Sequence, residues 1–145
     1  MAKIFKFDIG LYRGPKPESY VDVQEMADRY GIRTIINMQS SNTNEQVAWS
    51  KHAGIFAPID IKLCPAFPPM QAEVELVLDM LNTDAMKPIY LHCRAGVDRT
   101  GFMVAAYRMR YQGWSYEKAH QEMLDMGHNW WLYWWDGYLK KYENK

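Results

Sequence analysis

Apolar and polar residues alternate through IFKFDIGLYRG, residues 4–14, which predicts a strand ended by Gly14, Pro15 and Pro17. The spacing then changes. In ESYVDVQEMADRY the residues Tyr20, Val23, Met26, Ala27 and Tyr30 recur at helical intervals, and GIRTIINM follows as a short β-branched run. NEQVAWSKHAG reads as a short helix closed by Gly54, and IFAPIDI as a strand entering the proline-rich loop KLCPAFPP. QAEVELVLDMLN places Val74, Val77, Leu78 and Leu81 on one helical side, and PIYLHC is a buried type of strand. From RTGFMVAAYRMRYQG onward the pattern is helical, with Ser115 an N-cap for SYEKAHQEMLDMG and NWWLYWWDGYLKKY closing the chain.

Strands separated by helices of about ten residues predict an α/β fold: a central, mostly parallel sheet of four to five strands flanked by helices. No repeat, low-complexity tract or linker divides the sequence, so residues 1–145 read as a single domain. PIYLHC is then a central strand, RAGVD the loop at its C-terminal end, and RTGFMVAAYRM the next helix. Open α/β sheets bind ligands at that end.

A loop entering a helix aims several backbone amides at one point, and the helix dipole adds positive potential, which together suit a phosphate dianion. Gly96 lets the loop curl without a Cβ in the concavity, and Arg99 supplies a planar fork for two phosphate oxygens. The same field favours a thiolate, and therefore a nucleophile, at Cys93. Attack on phosphorus would give a phosphocysteine, its oxygens held by Arg99 and the amides of Arg94, Ala95, Gly96, Val97 and Asp98. Thr100 stands where its hydroxyl can reach the sulfur as it leaves, and His92 orders the loop.

HCRAGVDRTG, at His92, Cys93, Gly96, Arg99, Thr100 and Gly101, resembles the signature of the cysteine-dependent phosphatases, the protein tyrosine and dual-specificity superfamily. The order of strands and helices is similar to the compact dual-specificity fold over nearly the whole chain. LYRGPKP is also similar to a YRS segment of small members, with Gly14 where serine is usual.

The resemblance implies a general acid on a loop about thirty residues before the cysteine, which points to Asp60. Relatives with DRT in the loop offer Asp98 as the rival acid. A short chain implies phosphotyrosine and phosphoserine or phosphothreonine substrates; Arg94, a basic residue within the loop, keeps an inositol phosphate or phosphoinositide as the alternative. A phosphate-binding pseudophosphatase is the rival outside enzymes. The resemblance offers a protective disulfide between Cys64 and Cys93 under oxidation, as in some relatives, while a free or partly buried thiol at Cys64 is the favoured reading.

Charge narrows the partners. Lysine plus arginine equal aspartate plus glutamate at 17 each, so no overall basic field favours nucleic acid, and no run is long and apolar enough for a membrane span or a leader peptide. The protein reads as cytoplasmic, and its histidines and two cysteines form no ligand constellation, so no metal or cofactor is expected. HNWWLYWWDGY concentrates four of the six tryptophans. At helical spacing Trp131, Trp134, Trp135 and Tyr138 cannot all face one core, which leaves an aromatic surface for a partner beside a packed terminal helix.

Overall fold

The computed structural model describes residues 3–39, 44–56, 58–63, 67–94 and 96–144. Among the described residues five strands form one sheet in the order β1–β2–β5–β3–β4. β1 (Phe5–Asp8) and β2 (Leu11–Gly14) are antiparallel, while β2, β5 (Ile89–His92), β3 (Thr34–Asn37) and β4 (Ile59–Asp60) run parallel. The single strand expected over residues 4–14 is therefore a hairpin. Gly10, at φ 73°, takes the left-handed conformation that turns the chain between its two halves. Among the described residues β4 pairs with β3 at Ile59 and Asp60, a shorter run than IFAPIDI suggested.

Alternation along the central strands sends side chains into two cores. Ile35 and Tyr90 join Val23, Met26, Ile32 and Ile55 on the side of α1 (Tyr20–Tyr30) and α2 (Asn44–His52). Ile36, Ile89 and Leu91 join the larger core under α3 (Gln71–Leu81), α4 (Asp98–Tyr111), α5 (Tyr116–Asp125) and α6 (Tyr133–Leu139). A strand covered on both faces must be apolar throughout, which is why TIIN and IYLH read as unbroken runs.

Caps set the helix ends. Ser19 accepts from the Asp22 amide and Ser115 from the Lys118 amide, while Gly31, at φ 64°, closes α1. At the C-terminus Trp135, Leu139 and Tyr142 are buried, whereas Trp130, Trp131, Tyr133, Trp134 and Tyr138 are exposed. The terminal helix is thus packed on one side and aromatic on the other. No helix among the described residues is long and apolar enough to cross a membrane.

Candidate active site

Sheet register assembles the site. Gly14 pairs with His92, His92 with Asn37, and Asn37 with Asp60, so the C-terminal ends of four parallel strands form one row. Cys93 follows His92 directly, at the mouth of α4, with 2% of its surface exposed. The Nδ1–H of His92 donates to the Cys93 carbonyl at 2.8 Å, and burial pushes this imidazole down to about 4, leaving it neutral. His92 is a loop-ordering group in this geometry, and a neutral one.

Arg99 is buried in the first turn of α4. Its Nη1 donates to the carbonyls of Met38 at 3.3 Å and Leu63 at 3.2 Å, which are the exits of β3 and β4. Among the described residues it has no carboxylate partner. A guanidinium aimed by carbonyls keeps its charge available to an anion, whereas an ion pair would already have spent it.

The loop is shaped from outside. Gly96 has φ 78°, and a Cβ there would lie 2.5 Å from the Gly14 carbonyl oxygen, so only glycine permits this approach. The amide of Lys16 donates to the Arg94 carbonyl at 3.1 Å, and Nη2 of the buried Arg13 donates to the Gly96 carbonyl at 2.8 Å. The Arg94 side chain is exposed and Val97 is half-buried. Ala95 and Cys64 lie outside the described residues, and with Cys64 the choice between a free thiol and a disulfide to Cys93. The Thr100 hydroxyl is buried with no partner among the described residues, the sulfur included.

The two acid candidates differ in surroundings. Asp60, exposed at the end of β4, accepts from Asn37 Nδ2 at 3.1 Å. One strand separates β4 from β5, which puts its backbone about 10 Å from that of His92. Asp98 is tied down: it accepts from His128 Nδ1 at 2.8 Å, the Asn129 amide at 3.0 Å and Asn129 Nδ2 at 2.8 Å. Burial pushes Asp98 up, but these three donors outweigh it and hold the carboxyl below its ordinary value. His128 Nε2 meets Asp136 at 3.2 Å, and Asp136 meets His120 at 2.6 Å, so the network runs from the loop into α5 and α6.

Sequence reasoning passed over Arg13, His128 and Asn129. Only LYRGPKP signalled the first; nothing local signalled the other two. Beside the loop, a cavity of about 330 Å³ is lined by Lys16, Pro17, Glu18, Glu45, Gln46 and Trp49. Among the described residues no group of three or more histidine, cysteine, aspartate or glutamate side chains could hold a metal ion.

Residues 7–129 match the family model described as DSP-PTPase phosphatase fused to NAD+ kinase. The dual specificity protein phosphatase TpbA of Pseudomonas aeruginosa is 27% identical over 127 residues, covering 86% of this chain and 54% of that protein. The chain thus spans about half the length of the curated relatives it matches. A crystal structure of P. aeruginosa TpbA, as a cysteine-to-serine variant in complex with pTyr, has a TM-score of 0.73 at 26% identity, over 86% of this chain and 75% of that one. The core catalytic domain of the PP-IP phosphatase SIW14 from S. cerevisiae, in complex with citrate, scores 0.77 at 20% identity over 85% of this chain and 74% of that one, a likeness of fold. With the family model running from the end of β1 through the Cys93 loop to its His128–Asn129 clamp, this chain belongs to the DSP-PTPase phosphatase family.

Proposed function

We propose that the chain is a phosphomonoester hydrolase, one phosphatase domain over residues 1–145, acting through a phosphocysteine. The observation that carries this reading is the placement of Cys93 at the end of the central strand, in a loop entering α4, with a buried Arg99 that carbonyls orient and no carboxylate neutralises among the described residues. The thiolate of Cys93 attacks phosphorus; the S–P bond forms as the P–O bond to the leaving group breaks. Arg99 and the loop amides of Arg94, Gly96, Val97, Asp98 and Arg99 hold the three equatorial oxygens. Asp60 delivers a proton to the departing oxygen. In the second step water attacks phosphorus, Asp60 takes a proton from that water, and the S–P bond breaks to release phosphate. Thr100 supplies its unpartnered hydroxyl to the departing sulfur.

Asp60 is assigned as acid because Asp98 already accepts three hydrogen bonds that favour its ionised form, whereas an acid must be protonated before it acts. The substrate class is a phosphorylated protein, phosphotyrosine first. TpbA, named a dual specificity protein phosphatase and solved with pTyr, supports it. The PP-IP phosphatase SIW14, at 20% identity, and PTPMT1 in complex with PI(5)P, at 21%, share the fold and carry less weight for substrate. A thiolate nucleophile stays reduced in the cytoplasm, the compartment this reading assigns.

The test is hydrolysis of a small aryl phosphate by wild type and Cys93→Ser with a chelator present, then a panel of phosphopeptides against inositol phosphates. Turnover by wild type alone supports the enzyme, and an inert wild type that still binds phosphate supports a pseudophosphatase. A preference for inositol phosphates would overturn the substrate class.

A further inference from the structure

Arg13 lies behind the loop with 2% of its surface exposed. Besides the bond from its Nη2 to the Gly96 carbonyl, a Cβ on Gly101 would stand 3.7 Å from that same nitrogen, so the guanidinium fills the space between β2, the loop and the first turn of α4. Its Nε has no hydrogen-bond partner, and it makes no ion pair among the described residues. Glu122, the carboxylate that acts on it, is engaged by Arg108 Nε at 2.8 Å. Burial lowers the Arg13 guanidinium to about 10, which leaves it charged at neutral pH, and Glu122 and Cys93 are the groups that oppose the lowering. A cation kept this deep without a contacting carboxylate is costly to the fold unless an anion nearby offsets it.

We propose that Arg13 is a positioning residue of the phosphate loop. It draws the Gly96 carbonyl toward itself, so that this oxygen does not face the bound anion, and it sets a second buried positive charge behind Cys93 that favours thiolate and phosphate dianion alike. The inference rests on the reading of residues 93–99 as a phosphate site. The other charged or titratable groups facing Arg13 and the loop are His92 and Tyr90 from β5, Asp60 from β4, Asp98, Arg99 and Arg108 from α4, Glu122 from α5 and Lys16 after β2.

The experiment follows alkylation of Cys93 by iodoacetamide across roughly pH 5 to 9, with and without inorganic phosphate, in wild type, Arg13→Met and Arg13→Lys, with folding checked by cooperative thermal melting. Alkylation needs no turnover, so wild type that phosphate fails to protect sinks the phosphate-site reading itself. Where wild type is protected, Arg13→Met should shift the alkylation profile to higher pH and need about tenfold more phosphate for equal protection. A folded Arg13→Met with the wild-type profile and wild-type protection overturns the inference. Should Arg13→Met not fold, Arg13→Lys decides, because it keeps the charge without the planar fork: protection needing about threefold more phosphate or above upholds the positioning role, and anything less overturns it.

Discussion

The carboxylate of Asp98 and the imidazole of His128 meet at 2.8 Å across thirty residues of sequence, joining the residue before Arg99 to the turn after α5. Asn129 adds two further donors to the same carboxylate. One side chain therefore fastens the start of α4 to the C-terminal helices, and it does so as an anion.

Asp98→Asn should cost about 1–3 kcal/mol at pH 7, the range for hydrogen bonds to a charged group in a partly buried setting. The folded carboxyl lies below its unfolded value, so its contribution is complete above the unfolded value of about 3.9 and disappears as pH falls through the folded one. Urea unfolding of both proteins at a series of pH values checks this. The gap between them should narrow in acid, and a gap that stays constant contradicts the assignment.

Asp60→Asn should remove the basic limb of the pH–rate profile for aryl phosphate hydrolysis and lower kcat by about 10²–10⁴-fold, the usual contribution of a general acid. Asp98→Asn should keep that limb. The opposite pattern would transfer the acid role to Asp98.

Gly14 is explained by its neighbour across the sheet. A Cβ at Gly14 would stand 2.5 Å from Tyr90 Oη, and that hydroxyl donates to the Pro15 carbonyl. Gly14→Ser, the residue usual in similar segments, should destabilise this chain by about 1–3 kcal/mol through overpacking. In a Tyr90→Phe background the same change should cost less than about 1 kcal/mol, and a double-mutant cycle by chemical denaturation reads the coupling. Additive costs would show that the hydroxyl is not the obstacle.

His92 sets a second pH window. Burial lowers it to about 4, with only its bond to the Cys93 carbonyl and the charge of Asp60 opposing. An unfolded histidine binds its proton near pH 6.5, so between about 6.5 and 4 the unfolded state holds more protons and stability drops as the pH is lowered, by roughly 3–3.5 kcal/mol at most. Denaturation midpoints of wild type and His92→Asn across that interval test it. A wild-type slope no steeper than that of the variant would remove His92 from the account.

Local pattern was enough to place the strand, loop and helix of the candidate site. IYLHC followed by RAGVDRTG dictates a buried strand, a tight loop and a helix mouth, because apolar runs, glycine and helix-starting residues act within a few positions of one another. The hairpin of β1 and β2 was less legible, since Gly10 is a single turn signal inside an alternating run that also suits one long strand. The brief pairing of β4 was hidden for a similar reason: IFAPIDI has strand composition, yet pairing depends on the partner that β3 presents.

Residue pattern alone specified a mostly parallel α/β sheet, with a thiol and a guanidinium flanking a short loop at the head of one helix. The tertiary structure alone decided what surrounds them: that Arg13 stands behind Gly96, that His128 and Asn129 hold Asp98 ionised, and that Asp60 ends in line with Asn37 and His92. The reason is physical. Periodicity encodes which face of an element is buried, whereas a polar contact between distant residues depends on sheet register and helix packing, which are fixed only when the whole core closes.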